Sequence, residues 1–239
     1  MRKVLWTGLG LLVVMISLLV AVKSVMKTVP TGPLGNGVYA VNDGFVDMFV
    51  VREGRETICI DSGLTSGGIR KGFRRIGIDP DSVAAVFFTH SDRDHAGGAE
   101  LFKNADFYLP GPEVQMVNGK TKRVIFGRER TNRISVVYKA LKEGKNLRFG
   151  DIVVLPIWTP GHTPGSTSYL IDGKWLFTGD LLMLKKGRAV PNWKGLDMDA
   201  ARSIESMKML RRDLIGVDLL LTSHSGISRD FDKAMEEYK

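Results

Sequence analysis

The sequence predicts a mixed α/β domain that follows an apolar segment at the amino terminus. Short apolar runs of strand length recur along the chain and end at glycine or at polar residues. One later stretch instead has the spacing of an amphipathic helix. The chain has 239 residues, of which 44% are hydrophobic, so it is long enough for one domain of ordinary size with a buried core.

The apolar segment runs from Val4 to Val22 and contains no charged residue. A helix needs roughly 20 apolar residues to span a bilayer, whereas a cleaved signal peptide usually has a core of about 7–15 residues and a small-residue cleavage site. Val22-Lys23-Ser24 is a poor cleavage site. We therefore expect residues 1–27 to be a transmembrane anchor in contact with the lipid bilayer, with a cleaved signal segment as the alternative.

This expectation makes the protein a single-pass membrane protein. Basic residues lie on both sides of the apolar segment, so their distribution says little about orientation, and a main domain outside the cytoplasm is only slightly favoured. Residues 28–35 contain prolines and glycines and are expected to form a linker, followed by the main domain at 36–239. The single cysteine, Cys59, excludes a disulfide framework and is expected to be a small buried residue.

Within the main domain, Phe45–Arg52 and Glu56–Asp61 flank Glu53-Gly54-Arg55 and predict a β-hairpin. The apolar run Ser82–Thr89 predicts a buried strand that ends at His90. Further strands are predicted at Asp151–Trp158, Thr167–Ile171, Lys174–Phe177 and Leu219–Thr222, the second and third of them joined by a turn at Asp172-Gly173. A helix is predicted over Asp197–Leu214, with one apolar side formed by Ala200, Ile204, Met207, Leu210 and Leu214.

All four histidines of the chain lie beside glycine, aspartate or Thr-Pro, close to predicted strand ends. They belong to Thr89-His90-Ser91-Asp92-Arg93-Asp94-His95, Thr159-Pro160-Gly161-His162-Thr163-Pro164-Gly165 and Thr222-Ser223-His224-Ser225-Gly226. Asp180 comes after Phe177-Thr178-Gly179 in a similar setting. A single histidine is more often a surface or core residue, but four in this setting predict a metal centre, because imidazole and carboxylate groups bind divalent first-row metals.

These residues resemble the signature of the metallo-β-lactamase superfamily, over about residues 36–226. The signature is His-x-His-x-Asp-His, then a later histidine, a bridging aspartate and a final histidine. The chain has His90-x-Asp92-x-Asp94-His95, then His162, Asp180 and His224, in the same order. Val41-Asn42 and Ile60-Asp61-Ser62-Gly63 are also similar to the family's opening strands and its Asp-Thr-Gly-type turn. The resemblance implies a four-layer αββα sandwich of two mixed sheets.

The resemblance also implies two divalent ions, with zinc as the first expectation. The first ion would be held by His90, Asp92, His162 and Asp180, and the second by Asp94, His95, Asp180 and His224. Asp94 is in addition expected to take part in catalysis. Asp92 stands where the family has its second histidine, and the greater share of oxygen ligands makes iron or manganese better tolerated. Alternatively, Asp92 lies outside the ligand shell and only one ion binds tightly.

The function implied by the resemblance is hydrolysis by a metal-bound hydroxide. Asp180 together with His224 is similar to the glyoxalase II, lactonase and phosphodiesterase branches, so we expect cleavage of an ester, thioester or lactone bond in a small substrate. A net charge of +8 and the basic segment Lys120–Arg133 agree with an anionic substrate, a solvated loop being the alternative interpretation of that segment.

Two further functions stay open. One is a phosphodiesterase or nuclease, although the chain has no recognition-helix or zinc-finger pattern and a nucleic-acid partner is not expected. The other is a membrane-tethered, non-catalytic protein that uses the metal centre for structure or ligand capture.

Overall fold

The computed structural model describes residues 26–239 of the chain. The strands in this part are β1 (Gly32–Gly35), β2 (Val38–Asp43), β3 (Val46–Glu53), β4 (Glu56–Ile60), β5 (Ala85–Phe87), β6 (Asp106–Pro110), β7 (Arg123–Ile125), β8 (Arg128–Arg130), β9 (Lys139–Leu141), β10 (Leu147–Phe149), β11 (Ile152–Trp158), β12 (Thr167–Ile171), β13 (Trp175–Phe177), β14 (Met183–Lys185), β15 (Arg188–Val190), β16 (Leu219–Thr222) and β17 (Gly226–Ser228). The helices are α1 (Ser66–Ile76), α2 (Arg93–Ala96), α3 (Val114–Val117), α4 (Ala200–Asp213) and α5 (Phe231–Ala234).

Two mixed sheets dominate the described part of the chain. The first has the strand order β1-β2-β3-β4-β5-β6-β9, antiparallel from β1 to β4 and parallel from β4 to β9. The second has the order β10-β11-β12-β13-β16-β17 and is antiparallel except for the parallel pair β13 and β16. The prediction of mixed sheets is therefore confirmed.

Three apolar clusters give the order of the layers. The first lies between the sheets, where Phe49 and Phe177 approach with ring centroids 5.4 Å apart. In the second cluster, Phe73 of α1 packs on the outer face of the first sheet. In the third, Met207 and Leu210 of α4 pack on the outer face of the second sheet. Burial of these side chains from both faces of each sheet stabilises the arrangement helix, sheet, sheet, helix.

The two predicted hairpins are present. Strands β3 and β4 pair antiparallel around Gly54, and β12 and β13 pair around Asp172 and Gly173. Asp172 and Gly173 both have positive φ angles, of 52° and 70°, as a two-residue turn with the twist of a hairpin requires. Cys59 is buried in β4, as expected.

The strand predicted over Ser82–Thr89 is shorter than expected, because only Ala85–Phe87 is paired as β5. Residues 80–82 form a short 3-10 turn instead. At the other end, the backbone N–H of Thr89 donates to the Asp61 carboxylate at 2.7 Å rather than to a neighbouring strand. The chain leaves the sheet there, which turns the following residue, His90, towards the end of the sandwich.

The predicted helix at Asp197–Leu214 begins later, and its buried side also includes two serines, Ser203 and Ser206. It starts at Ala200, because the side chain of Asp199 accepts a hydrogen bond from the Arg202 N–H at 3.0 Å and caps the helix. Its buried residues are Ser203, Ser206, Met207 and Leu210, whereas Ala200 is exposed and Ile204 and Leu214 are half-buried. Ile204 and Leu214 nevertheless pack against the same apolar cluster, so of the predicted apolar side only Ala200 faces away from it.

The two serines are buried because they face the loop that carries His162. The hydroxyl of Ser206 donates to the Pro160 carbonyl at 2.8 Å. Gly161 lies so close to Ser203 that a Cβ at this position would overlap the Ser203 hydroxyl. Two small serines allow α4 to approach the loop closely, so the helix braces it.

Helix α1 was not predicted, and its composition explains why. It contains Gly67, Gly68 and Gly72, and glycine within a helix is unfavourable because it loses more conformational freedom than other residues. A Cβ at Gly68 would overlap the Asp43 carboxylate, and one at Gly72 would overlap the Val41 side chain. The glycines therefore let the helix lie close to β2.

The predicted anchor at residues 1–27 falls almost entirely outside the described residues. Among residues 26–239, the structure contains no helix with the length and apolar character that crossing a bilayer requires. The predicted boundary between linker and main domain stays a prediction, and residues 32–35 of that linker pair with β2 as an edge strand.

Candidate metal centre

The predicted ligands meet at one end of the sandwich, on loops that follow strands of both sheets. His90 follows β5, and Asp92, Asp94 and His95 lie at or just before α2. The other three follow β11, β13 and β16: His162, Asp180 and His224. Their ligand atoms form three groups, in each of which the atoms lie within 4.8 Å of one another: His90, His95 and Asp180; His90, Asp92 and His162; Asp94, His95 and His224.

Asp180 lies between the histidines. Its Oδ1 is 3.2 Å from His95 Nε2 and 3.3 Å from His224 Nε2, while its Oδ2 is 3.5 Å from His162 Nε2. The Asp94 carboxylate also approaches His224, with its Oδ2 3.4 Å from Nε2. Asp180 can therefore use Oδ1 on the side of His95 and His224 and Oδ2 on the side of His162.

The imidazoles are held from outside the centre. In each ring Nδ1 contacts another group, and the partners are Thr89 Oγ1 for His90 at 3.0 Å, Asp61 Oδ2 for His95 at 2.8 Å, Asp197 Oδ1 for His162 at 3.0 Å and the Phe45 carbonyl for His224 at 2.7 Å. Because Nδ1 is engaged in all four rings, Nε2 faces inwards. Such outer contacts select the tautomer and the orientation of metal-binding histidines.

Two buried carboxylates position these loops. Asp61 accepts hydrogen bonds from the N–H and hydroxyl of Thr89 and also contacts His95 Nδ1, so it connects the end of β5 with α2. Glu113 accepts from the Ser91 N–H at 2.9 Å and from the Thr163 hydroxyl at 2.7 Å, and it thereby joins the loop of His90 to the loop of His162.

Glu113 and Asp197 could not be recognised from the sequence. No motif marks Glu113, which lies in a short 3-10 turn directly before α3. Asp197 falls inside the predicted helix, but it lies before α4 and orients His162. Asp61 could have been found, since the resemblance included its turn.

The residues around Asp180 fit a divalent cation. Within residues 26–239, His90 Nε2, His95 Nε2 and Asp180 Oδ1 are buried side-chain atoms without a hydrogen-bond partner. Buried polar atoms in proteins are nearly always paired, and an unpaired one is costly. Imidazole nitrogens and carboxylate oxygens are also the ligands that zinc accepts. Asp94, His95, Asp180 and His224 would hold such an ion.

Burial and neighbouring charges shift the pKa values of the histidines in the centre. Burial lowers the pKa of His224, but the carboxylates of Asp180 and Asp94 outweigh burial and raise it to about 10. Burial likewise lowers the pKa of His95, and Asp180 and Asp61 outweigh it and hold the pKa well above its ordinary value. For His90, burial and the neighbouring His95 lower the pKa, so this ring stays neutral.

We expect the affinity for a divalent cation to rise steeply with pH. His95 and His224 carry a proton in the metal-free protein at neutral pH, and a cation that binds Nε2 must displace it. Below the raised pKa values, binding of the cation releases two protons. The affinity should therefore rise by up to about 100-fold for each unit increase in pH. Calorimetric zinc titrations between pH 6 and pH 8, in buffers of different ionisation enthalpy, measure the affinity and the number of protons released. An affinity that does not change with pH would contradict this charge state.

Arg123 is buried, although the sequence predicts that the basic segment around it is exposed. It belongs to the basic segment Lys120–Arg133, yet its side chain is fully buried. Its Nε donates to Asp92 Oδ2 at 2.9 Å, and its Nη2 is 2.8 Å from His162 Nε2. Asp92 also accepts a hydrogen bond from Asn132 at 2.8 Å and pairs with Arg130 at 3.3 Å. One arginine of the predicted exposed segment is therefore part of the centre.

The centre opens into a cleft of about 310 Å³. Hairpins β7–β8 and β14–β15 contribute to its walls through Ile125, Arg130 and Met183. Its apolar lining includes Phe45 and Leu182. The cationic side chains on the wall are Arg93, Arg123 and Arg130. A small molecule with an apolar part and a negative charge would match this lining.

A sandwich of two mixed sheets whose loops gather four histidines and three aspartates at one end defines an α/β protein with a candidate metal centre. The model of the Metallo-beta-lactamase superfamily matches residues 41–224. The chain belongs to this superfamily.

Several curated proteins are similar to the chain. A probable polyketide biosynthesis zinc-dependent hydrolase, BaeB of Bacillus velezensis, is 26% identical over 132 residues, which cover 54% of this chain and 51% of that protein. A hydroxyacylglutathione hydrolase of Brucella anthropi is 34% identical over 131 residues, covering 54% of this chain and 44% of that protein. The chain thus spans about half the length of these curated relatives.

Among solved structures, a metallo-beta-lactamase of Cronobacter sakazakii with a HARLDQ motif has a TM-score of 0.67 and 22% identity, and the match covers 91% of this chain and 93% of that one. Rm3 metallo-beta-lactamase has a TM-score of 0.68 and 18% identity, with coverage of 88% and 90%. At these identities the similarity establishes the fold.

Proposed function

We propose that the protein is a metal-dependent hydrolase that cleaves an ester, thioester or lactone bond in a small substrate. The observation that carries this proposal is that four histidines, each held through Nδ1 by a group outside the centre, surround Asp180 at the base of a cleft. The relatives named zinc-dependent hydrolase and hydroxyacylglutathione hydrolase support both the reaction class and zinc as the metal.

A divalent ion bound at this centre would lower the pKa of water and polarise the bond to be cleaved. The protein side chains would then position the substrate and move the proton. Asp94 has the most exposed carboxylate of the centre, with 21% of its side chain accessible, against 11% for Asp180 and 5% for Asp92. Burial raises the pKa of Asp94, but the neighbouring His95 outweighs it and lowers the pKa to about 2. Asp94 is therefore an ionised but weakly basic carboxylate, and we expect it to orient the attacking water rather than to serve as a strong base.

A phosphodiesterase is the second candidate, and one observation favours it. Arg93 and Arg130 both line the same cleft, and guanidinium groups pair well with phosphate oxygens. Carboxylate groups make similar pairs, so an anionic ester or thioester would use the same side chains.

The test is a substrate panel with the zinc-loaded protein: an acyl thioester, a lactone, an aryl ester, a phosphodiester and a β-lactam. We expect turnover of an acyl compound, its loss with a chelator and its recovery when zinc is added back. Phosphodiester turnover alone would select the second candidate. Turnover that resists complete removal of metal, or none with any compound, would refute a metal-dependent hydrolase.

We also propose that the segment Val4–Val22 stays in the mature protein and anchors it to a membrane. Support comes from its lack of charge, its near-spanning length and the poor cleavage site that follows it. Membrane fractionation followed by amino-terminal sequencing should find the intact chain in the membrane fraction. A soluble product that begins at Val25 would show instead that the segment is removed.

A further inference from the structure

Arg123 occupies a position in which its guanidinium is almost fully engaged. Its Nε lies 2.9 and 3.1 Å from the two oxygens of Asp92. Nη1 donates to the Val124 carbonyl at 3.0 Å, and Nη2 donates to the Leu196 carbonyl at 2.9 Å and contacts His162 Nε2 at 2.8 Å. Removing a buried, paired charge from such a set of contacts is costly, so this side chain is firmly held.

The contact with His162 has a chemical consequence. A guanidinium is always protonated and has no acceptor atom, so in this contact His162 Nε2 must accept through its lone pair. Its Nδ1 carries the proton, which it donates to Asp197 at 3.0 Å. A metal ion would need the same Nε2 lone pair. Arg123 and a metal ion therefore cannot use His162 at the same time.

Asp92 is engaged in the same way. Besides Arg123, it pairs with Asn132 and with Arg130 through Oδ1. Two of the four residues predicted to hold the first ion, Asp92 and His162, are thus engaged by protein donors. The group around Asp180 is different, because His90 Nε2, His95 Nε2 and Asp180 Oδ1 have no hydrogen-bond partner among the described residues.

We infer that Arg123 takes the place of one of the two ions. The centre then holds a single divalent ion through Asp94, His95, Asp180 and His224, and the guanidinium supplies a fixed positive charge beside His162, whose Nε2 is 3.5 Å from Asp180 Oδ2. This inference rests on the metal centre of the proposed function, but it does not depend on which bond is cleaved.

The test counts metal ions. The full-length chain and two variants, Arg123→Gln and Arg130→Gln, are saturated with zinc, freed of excess metal by gel filtration and measured by mass spectrometry. We expect one equivalent per chain in the wild type and two in Arg123→Gln, since Asp92 Oδ2 and His162 Nε2 lose the guanidinium as their partner. Arg130→Gln is the matched control: it also removes an arginine partner of Asp92 but leaves His162 engaged, so it should stay at one equivalent.

A second readout uses cobalt(II) in place of zinc. Electron paramagnetic resonance should show an isolated ion in the wild type and a spin-coupled pair in Arg123→Gln. Two tightly bound equivalents in the wild type, or one in Arg123→Gln, would overturn the inference. If Arg123→Gln does not fold, His162→Ala should keep one equivalent and His224→Ala should lose it, and a wild-type count of two that falls to one in His162→Ala would reject the single-ion centre.

Metal counts also separate this inference from the proposed function. A protein that binds one ion but hydrolyses no member of the substrate panel would leave the inference standing and refute the proposed reaction. A protein that hydrolyses a thioester with two tightly bound ions would do the reverse.

Discussion

Asp180→Asn is expected to lower kcat/KM by on the order of 1,000-fold, equivalent to about 4 kcal/mol of transition-state stabilisation. Asp180 Oδ1 lies 3.2 and 3.3 Å from the Nε2 atoms of His95 and His224, so its charge is shared by the groups that would hold the ion. An amide of nearly the same size removes that charge, and metal affinity should fall together with activity. The assay is kcat/KM on the best substrate of the panel, with metal content measured on the same samples.

The fold should survive this change. Asn192 donates to the backbone carbonyl of Asp180 rather than to its side chain, and that contact is kept. Asp218→Asn is a matched control, because it removes an aspartate charge from an exposed position outside the centre. It should leave both metal content and kcat/KM unchanged. If Asp180→Asn kept full metal and activity, the carboxylate would have no part in the centre.

Glu113→Ala is expected to lower the free energy of unfolding by on the order of 3 kcal/mol. The fully buried carboxylate accepts hydrogen bonds from Ser91, Thr163 and Gly165. Alanine would leave those donors buried without an acceptor and open a void between two ligand-bearing loops. For a domain of this size the melting temperature should fall by roughly 6–12 °C.

This measurement is made on metal-free protein in the presence of a chelator, so that a change in metal binding does not contribute. Glu100→Ala serves as the control, since Glu100 is exposed and its removal should change the melting temperature little. Glu113→Gln keeps one acceptor oxygen and should lose less stability than Glu113→Ala. Equal melting temperatures for Glu113→Ala and the wild type would mean that the two loops are held together by other contacts.

Local patterns predicted those elements whose signals lie within a few residues. The hairpin of β3 and β4 has a glycine turn between two apolar runs, and the hairpin of β12 and β13 has Asp172-Gly173, whose positive φ angles suit the turn. Helix α1 escaped prediction because its glycines serve contacts with β2 that no local pattern contains. The buried side of α4 was only partly correct, because Ser203 and Ser206 face the loop of His162 rather than an apolar core.

By itself, the sequence determined which residues could serve as ligands and their order along the chain. His90, Asp92, Asp94 and His95 form one motif, and His162, Asp180 and His224 follow in the order of the superfamily. Whether a residue can bind a metal depends on the chemistry of its side chain, which the sequence gives directly. Loops that follow strands bring such side chains together in many folds. The sequence alone was therefore enough to propose these seven residues.

Only the tertiary structure decided what surrounds those residues. Arg123 reaches Asp92 across 31 positions of sequence and His162 across 39, and Glu113 joins loops that are 22 and 50 positions away from it. In a basic segment, the local sequence predicts solvent exposure equally for every arginine. Which one turns inwards depends on how hairpin β7–β8 docks against distant loops, because burial of a charge becomes favourable only where folding supplies its partners.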